Sequence, residues 1–305
     1  MIKSVTVTNH LNENLKLELQ RPEKSGFAVT KIDGLGPVKA DIHTVEVSTR
    51  DGSSYNSART SQRNIVIYLK YLSQKLSVEY LRQESYRYFP VKKPIRLVIE
   101  TDNRTLGIDG YVEANDPDIF SDSAGCQISI ICPDPYFYSA GPNGTKTVTF
   151  YGIEPTFEFP FENASEDDSL LEFGSIQNRS INNVHYTGDV DTGVLIEMRA
   201  IGDVENVTIY NTVTRESMFI DTDKLEAITG SKLIDGDEIT ICTITGSKSV
   251  MLLRDGVYYN ILNCLSKNTN WFQLSKGDNM FAYVAESGSI NLQFRVTYNV
   301  RYEGV

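Results

Sequence analysis

The sequence predicts a mainly β protein with two β-sandwich-like domains. Short runs of alternating apolar and polar residues recur along the whole chain, and alternation with period two is typical of strands. Turn-forming pairs such as Asp235-Gly236 and Asp255-Gly256 separate many of these runs. A clear apolar face at helical spacing occurs only once, just before Pro90. Many short strands with few helices favour antiparallel sandwiches.

The first half of the chain is predicted to contain several strands and a single helix. Its first strand-like runs are 2–8, Leu15–Leu19, Phe27–Ile32, Val38–Thr49 and Arg63–Tyr71. The segment Asp51–Ser61 is rich in Gly, Ser and Asn, so we expect an exposed, mobile loop. Ser77 can cap a helix that runs to about Tyr88, because the residue before Pro90 avoids α geometry.

The stretch that follows the helix predicts a long hairpin and one further strand. The hairpin pairs Ile95–Thr101 with Thr105–Glu113. A hairpin of this length can reach over a neighbouring chain or add its edge to that chain's sheet. A polar loop, Asn115–Gly125, leads to the strand Cys126–Cys132. The prolines within 133–135 cannot donate to a ladder, so the sheet is expected to end near Cys132.

A strong turn signal at Ala140–Gly144 predicts a domain boundary. We therefore divide the chain into an N-terminal domain, 1–143, and a C-terminal sandwich domain, 144–305, and expect the two to be separable. The predicted strands of the second half are Lys146–Tyr151, Thr156–Phe159, Ser169–Phe173, Gly193–Ala200, Asn206–Asn211, Ser217–Asp221, Glu238–Thr243, Lys248–Leu253, Val257–Asn260, Trp271–Leu274, Asn279–Val284 and Asn291–Tyr302.

Composition and charge argue against two classes of partner. The chain has 305 residues and a net charge of −11, and non-specific binding to nucleic acid needs Lys and Arg to neutralise phosphates. No apolar run approaches the length of a membrane span. The first residues alternate like a strand and lack the apolar core of a signal peptide. We expect a protein made in a cytoplasm, with no membrane partner and no sequence-specific nucleic acid.

The cysteines and histidines predict no metal or cofactor site. Cys126 and Cys132 would lie about 20 Å apart on one strand, too far for a disulfide. Cys242 and Cys264 could meet on neighbouring strands, although a cytoplasmic protein favours free thiols. No Cys-x-x-Cys occurs, and the histidines lack ligand spacing. The chain is expected to fold without metal.

Catalytic motifs are also absent from the sequence. The triplet Asp191-Thr192-Gly193 matches aspartic proteases, but that chemistry needs two carboxylates and no second triplet occurs. We interpret it as a turn that feeds a strand. The acidic run from Glu162 to Glu172 is more typical of a solvated loop than of a glycosidase pair. We therefore expect no enzymatic activity.

One aromatic residue is a candidate for sugar stacking. Trp271 is the only tryptophan, and alternation places it on the opposite face of its strand from Phe272 and Leu274. Buried aromatic residues in sandwich cores are commoner than exposed platforms, so both interpretations stay open.

Two blocks of motifs resemble a known family. The first runs from Gly110-Tyr111-Val112-Glu113 through Phe120-Ser121 to Cys132-Pro-Asp-Pro-Tyr-Phe137. The second block contains Asp191-Thr-Gly-Val194, Arg199-Ala-Ile-Gly202, Ile209-Tyr-Asn211, Gly246-Ser-Lys-Ser-Val250, Trp271-Phe-Gln-Leu274, Gly277-Asp-Asn279 and Tyr302-Glu-Gly-Val305. Together, and in this order, they resemble the distal tail protein (Dit) of long-tailed bacteriophages, the siphovirus-type tail component family.

The resemblance implies a structural hub in the virion, at the tail tip or baseplate, assembled in the host cytoplasm. It implies a ring-forming N-terminal domain, a hexameric ring, and a galectin-like or carbohydrate-module-like C-terminal domain that projects from it. The implied partners are the tail tube protein, the tail-associated hub protein and receptor-binding proteins for host attachment. Candidate interface residues are Tyr111, Phe120, Tyr136 and Phe137.

An alternative hypothesis makes the C-terminal sandwich a carbohydrate-binding module. It would recognise sugars of the host cell wall, with Trp271 as the stacking residue.

Overall fold

The computed structural model describes residues 1–46, 48–49, 51–73, 76–118, 124–141, 144–154, 175–178 and 181–305. The candidate Phe120, the predicted strands Thr156–Phe159 and Ser169–Phe173, and the acidic run lie outside this part of the chain. Two compact units are present. Unit 1 contains Met1–Gly144 together with Arg301–Val305, and unit 2 contains Thr145–Val300.

Unit 1 is built on a sheet of nine strands, with a helix packed against it. Its elements are β1 (Ile2–Thr8), β2 (Asn14–Glu18), a 3-10 turn (Pro22–Lys24), β3 (Phe27–Asp33), β4 (Ala40–Glu46), β5 (Ser53–Thr60), β6 (Arg63–Tyr71), α1 (Val78–Tyr88), β7 (Pro94–Thr101), β8 (Thr105–Asp118), β9 (Gly125–Cys132) and β10 (Phe137–Ser139). The main path of the sheet has the order β2-β1-β7-β8-β9-β6-β3, and its described pairs are antiparallel.

Alternation along the central strands creates the core of unit 1. The buried positions recur every second residue in β6, β7 and β9, including Ile65, Ile67, Leu97, Ile128 and Ile130. Successive side chains of a strand point to opposite faces, so one face of the sheet becomes continuously apolar. The predicted strands Ile95–Thr101 and Cys126–Cys132 agree with β7 and β9 to within one residue.

Helix α1 closes this core where the sequence predicted a helix. The Ser77 side chain accepts a hydrogen bond from the Tyr80 amide at 3.2 Å, which satisfies a free donor of the first turn. Leu81 and Ser85 are the buried residues of the helix, and Phe89 at its end is fully buried. Pro90 follows, and the helix stops before it.

Three predictions about unit 1 are wrong. Strand β8 continues to Asp118, into the segment that was expected to be a loop from Asn115. The expected mobile loop Asp51–Ser61 contains strand β5, because its backbone pairs with β4 and this pairing is independent of side-chain polarity. The hairpin Ile95–Glu113 lies in the middle of the sheet, flanked by β1 and β9, so it has no free edge to offer a neighbour.

In the described residues of unit 2, two larger antiparallel sheets stand beside two pairs of short strands. Its elements are β11 (Thr145–Thr149), β12 (Tyr151–Glu154), β13 (Ser175–Asn178), β14 (Ile181–Tyr186), β15 (Thr192–Gly193), β16 (Leu195–Ala200), β17 (Glu205–Asn211), β18 (Glu216–Ile220), α2 (Thr222–Thr229), β19 (Glu238–Cys242), β20 (Ser249–Arg254), β21 (Val257–Asn260), a 3-10 turn (Leu262–Cys264), β22 (Gln273–Leu274), β23 (Gly277–Ser287), a second turn (Ser289–Asn291) and β24 (Leu292–Asn299). The orders are β11-β24-β16-β19-β20-β21 and β14-β23-β17-β18.

Aromatic contacts join the two sheets of unit 2 into a sandwich. Tyr283 of β23 stacks on Phe294 of β24 with centroids 5.1 Å apart, and Phe150 meets Phe294 edge-on at 4.7 Å. Both phenylalanines are fully buried. The prediction of a mainly β fold is therefore confirmed, while a galectin-like topology stays a prediction.

Helix α2 has no counterpart in the sequence prediction, which placed almost no helix after residue 138. Its signals are nevertheless present. Asp221 accepts hydrogen bonds from the amides of Asp223 and Lys224, and Gly230 ends the helix in the left-handed conformation that glycine tolerates best. No helix in the described part of the chain is long and apolar enough to cross a membrane.

After unit 2 the chain returns to unit 1. Strand β25 (Arg301–Tyr302) pairs with β10, with Phe137 opposite Tyr302 and Tyr138 opposite Arg301. The Val305 amide donates to the Leu35 carbonyl at 3.1 Å. Unit 1 therefore consists of two separate pieces of the sequence, and unit 2 is inserted between them.

Candidate functional site

The hairpin of β4 and β5, called the arm below, is exposed on both faces. Every residue of β4 is exposed, and most of β5 is as well. Ile42 is 64% exposed and Tyr55 is 68% exposed. An isolated two-stranded hairpin is marginally stable in water unless it packs against another surface, and the exposed apolar side chains of this hairpin are available for such a contact. The arm is therefore the strongest candidate for a contact with another subunit.

The two ends of the arm meet at one buried arginine. Arg63, the first residue of β6, is 1% exposed. Its guanidinium donates to the carbonyl oxygens of Gly34 and Gly36, just before β4, at 2.5 and 2.6 Å. It also donates to the carbonyls of Pro135 and Glu303, both at 2.6 Å. One side chain thus joins both ends of the arm to two distant segments of unit 1.

The electrostatics around Arg63 reflect its burial. All its described hydrogen-bond partners are main-chain carbonyls, and the ring of Phe137 lies 4.5 Å from the guanidinium carbon. Removal from water lowers the pKa of the guanidinium below its usual value. Burial also raises the pKa of the nearby Cys132 thiol to about 12, although the positive charge of Arg63 opposes this shift. The thiol is therefore protonated at physiological pH.

Unit 1 is expected to lose stability as the pH rises from about 9 to 12. The Cys132 thiol ionises near 9.0 in an unperturbed chain and near 12 in the folded protein. Within that window the unfolded state has released a proton that the folded state still holds, so rising pH favours unfolding. Calorimetric melting between pH 8 and 11 measures this loss. Cys132→Ala is the control and should make the pH dependence less steep without removing it, because burial also raises the pKa of Cys126 and Tyr138 in unit 1. An unchanged slope in this variant would contradict the assignment.

Tyr111 lines a groove at the surface of unit 1. The groove has a volume of about 590 Å³, and Pro94, Pro133 and His10 are among its other lining residues. Tyr111 is 51% exposed, so its ring is accessible as an interface residue would need to be. Its role in an interface stays a prediction.

The other three interface candidates are less accessible than Tyr111 or lie outside the described residues. Phe137 is fully buried beside Arg63, so the prediction that it contacts a neighbour is wrong: the ring already packs in the core of its own unit. Tyr136 is half-buried, and its hydroxyl donates to Thr60 at the end of the arm at 3.4 Å. Phe120 lies outside the described residues.

Trp271 is half-buried, while its neighbours Phe272 and Leu274 are fully buried in unit 2. The ammonium group of Lys248 lies 5.2 Å from the centre of the tryptophan ring. A cation over the ring occupies part of the surface that a sugar would stack against. Sugar stacking at Trp271 remains an untested prediction.

The triplet Asp191-Thr192-Gly193, which matches aspartic proteases in sequence, has a structural explanation here. Thr192 and Gly193 form β15, which pairs with β22, and β16 follows. A Cβ atom at Gly193 would lie 2.5 Å from the Ile244 Cα atom, so close backbone packing explains the glycine. In the described part of the chain, no group of three or more His, Cys, Asp or Glu residues is placed to hold a metal ion. All four cysteines are free thiols.

Sequence reasoning missed the arm and Arg63. The arm had a partial signal, because Val38–Thr49 alternates like a strand. Nothing in the sequence indicates the role of Arg63, because its partners are main-chain carbonyls, which every residue carries. These carbonyls also come from distant segments, one of them at Glu303.

Part of the chain is similar to a known family of phage tail components. Residues 187–302 match the family model described as the siphovirus-type tail component, C-terminal domain. No curated protein matches the sequence. Over this region the chain is similar to the C-terminal domain of siphovirus-type tail components.

Solved structures extend the similarity to the first half. The Dit (gp 19.1) protein of phage SPP1 is 10% identical and aligns over 97% of this chain and 98% of its own, with a TM-score of 0.64. It is described as a paradigm of the hub adsorption apparatus in phages that infect Gram-positive bacteria. Two phage P2 baseplate structures, with Ca and with Sr, are 9% and 8% identical, have TM-scores of 0.48 and 0.46, and align over 97% of this chain and 98% and 97% of theirs. The resemblance to distal tail proteins is confirmed, and the fold is the Dit fold.

Proposed function

We propose that this protein is the hub of a phage tail tip, in which identical copies close into a hexameric ring through unit 1. The family supports a structural role in the tail or baseplate. The ring would join the tail tube to the tail-associated hub protein, and unit 2 would carry receptor-binding proteins. Assembly would take place in the host cytoplasm before the virion is complete. This role is structural and needs no catalytic residue.

The exposed arm is the observation that carries the proposal. It presents Ile42, Val45 and Tyr55 to solvent, and in a monomer these side chains would stay in water. If the arm of one copy packs on the next copy, the contact is head-to-tail, and such contacts form a closed ring when the rotation between copies closes. Each copy carries a net charge of −11, so added salt should favour closure by screening the repulsion.

Replacing apolar residues of the arm should weaken assembly of the ring. In the double variant Ile42→Thr and Tyr55→Thr, both substitutions keep a strand-forming residue while removing apolar area. We expect the concentration needed for assembly to rise at least about tenfold, by the usual conversion of about 1.4 kcal/mol. Native mass spectrometry and mass photometry across a salt series measure the oligomer.

The matched control lies in unit 2. Tyr258 is 69% exposed, and Val257 beside it is exposed as well, so Val257→Thr with Tyr258→Thr removes a similar apolar surface elsewhere. This control should assemble like the wild-type chain. A wild-type chain that stays monomeric at every salt concentration, or arm variants that assemble normally, would overturn the proposed role.

A further inference from the structure

The segment Arg301–Val305, called the strap below, completes unit 1 from the far side of the sequence. Tyr302 packs against the core of unit 1, and the guanidinium of Arg104 lies 4.5 Å from the centre of its ring. Arg301 pairs with Asp134. The strap thus supplies a strand, a ring and an ion pair to a unit whose other residues all precede unit 2 in the chain.

The strap also contacts the segment from which the arm begins. The Val305 amide donates to the Leu35 carbonyl, and the Glu303 carbonyl accepts from Arg63, which binds Gly34 and Gly36 at the same time. Residues 34–36 belong to the connection between β3 and β4, the segment that leads into the arm. The position from which the arm leaves unit 1 is therefore held by residues that follow unit 2.

Without the strap, this anchoring is incomplete. The Arg63 donor that binds Glu303 would lose its partner, and a buried polar group without a partner is costly. Strand β10 would lose its pairing with β25. The segment 34–36 would lose its bond to Val305, so the start of the arm would be less restrained.

We propose that the strap is an assembly latch: the arm is held for contact with a neighbouring copy only after the strap has docked on unit 1. Because the strap follows unit 2 in the sequence, a growing chain cannot dock it until unit 2 has been made. Incomplete chains would then be kept out of the ring. The assembly part of this inference rests on the proposed ring, whereas the docking part rests on unit 1 alone.

A steric variant tests the latch in the full chain. A Cβ atom at Gly304 would lie 3.1 Å from the Leu35 oxygen, so the larger side chain of Gly304→Ile should push the strap away from the segment 34–36. Gly141→Ile is the matched control in unit 1. A Cβ atom added at Gly141 would have the Thr105 Cβ atom as its nearest neighbour, at an ordinary contact distance of 3.8 Å. A second variant, a chain that ends at Val300, removes the strap altogether.

Two measurements separate docking from assembly. Amide hydrogen exchange over residues 34–46 reports the start of the arm, and native mass spectrometry reports the ring. Fluorescence of Trp271, the only tryptophan, reports whether unit 2 is folded. We expect Gly304→Ile and the chain that ends at Val300 to exchange at least about tenfold faster over 34–46 and to assemble poorly, with unchanged Trp271 emission. Gly141→Ile should behave like the wild type.

Each outcome decides one part of the inference. Unchanged exchange over 34–46 in the chain that ends at Val300 would overturn the docking role of the strap. Faster exchange with a normal ring would overturn the latch. If the wild-type chain forms no ring at all, the proposed function fails, and the exchange result alone then decides whether the strap holds the start of the arm.

Discussion

Replacing Arg63 with methionine is expected to destabilise unit 1 by about 3–5 kcal/mol. Methionine keeps an unbranched side chain but donates no hydrogen bonds, so the carbonyls of Gly34, Gly36, Pro135 and Glu303 lose a common donor. An unsatisfied buried acceptor costs about 1–3 kcal/mol. Relief from burying a positive charge offsets part of the sum, which is why the expected loss is smaller than four separate penalties.

Arg63→Lys should recover only part of this loss. An ammonium group keeps the charge, yet its three donors diverge from one atom and lack the planar fork of a guanidinium. It cannot reach all four carbonyls, which lie on three separate stretches of chain. A lysine variant as stable as the wild type would show that charge, rather than the geometry of the donors, is what matters at this position.

Thiol labelling gives a local measurement in unit 1. Cys126 and Cys132 are buried there and should react only when unit 1 opens. A loss of 3–5 kcal/mol corresponds to labelling that is about 10²- to 4 × 10³-fold faster. Peptide mass mapping identifies the labelled cysteine. Arg59→Met is the control, because Arg59 lies on the arm with its side chain 76% exposed. If Arg63→Met labels within tenfold of this control, the central role of Arg63 is wrong.

Replacing Asp237 with asparagine should destabilise unit 2 by about 3–5 kcal/mol. Asp237 and Arg254 form a buried ion pair, in which Nε and one terminal nitrogen of the arginine donate to the two carboxylate oxygens at 2.8 and 2.5 Å. The carboxylate raises the pKa of Arg254 above its usual value. Asparagine would leave the buried guanidinium without a compensating charge, and this is the main source of the loss.

Further hydrogen bonds fix both side chains of this ion pair, so Arg254 cannot easily move to another partner when the Asp237 carboxylate is removed. Arg254 also donates to the hydroxyls of Thr229 and Ser231, at the end of α2, and Asp237 accepts from the Ile234 amide at 3.0 Å. The pair therefore holds the turn between α2 and β19. Urea unfolding followed by Trp271 fluorescence measures the loss in unit 2.

Two further variants test the explanation. Glu238→Gln changes the exposed neighbour of Asp237 and should cost less than about 1 kcal/mol, as is usual for surface ion pairs. Arg254→Met combined with Asp237→Asn should be more stable than the sum of the two single losses, because it removes the unpaired charge. Strict additivity would mean that the two residues act independently.

The sequence by itself determined the strands of the cores and the first helix. Alternation in β6, β7 and β9 is a local property, since neighbouring side chains of a strand must face opposite sides. The limits of α1 are also local, set by Ser77 and Pro90. Helix α2 belongs to the same group, because Asp221 and Gly230 mark its ends in the sequence even though the prediction passed over them.

Only the tertiary structure shows that the exposed hairpin is the arm of β4 and β5, and which residues hold its start. The alternation of β7 and β8 was predicted, but their central place in the sheet depends on β1 and β9, which pair with them from elsewhere in the chain. Backbone pairing makes β5 a strand although its composition is typical of a loop. Arg63 binds carbonyls, which every residue possesses, and the strap reaches it from beyond unit 2. Contacts between distant segments through main-chain atoms leave no mark on residue type, so only the folded chain reveals them.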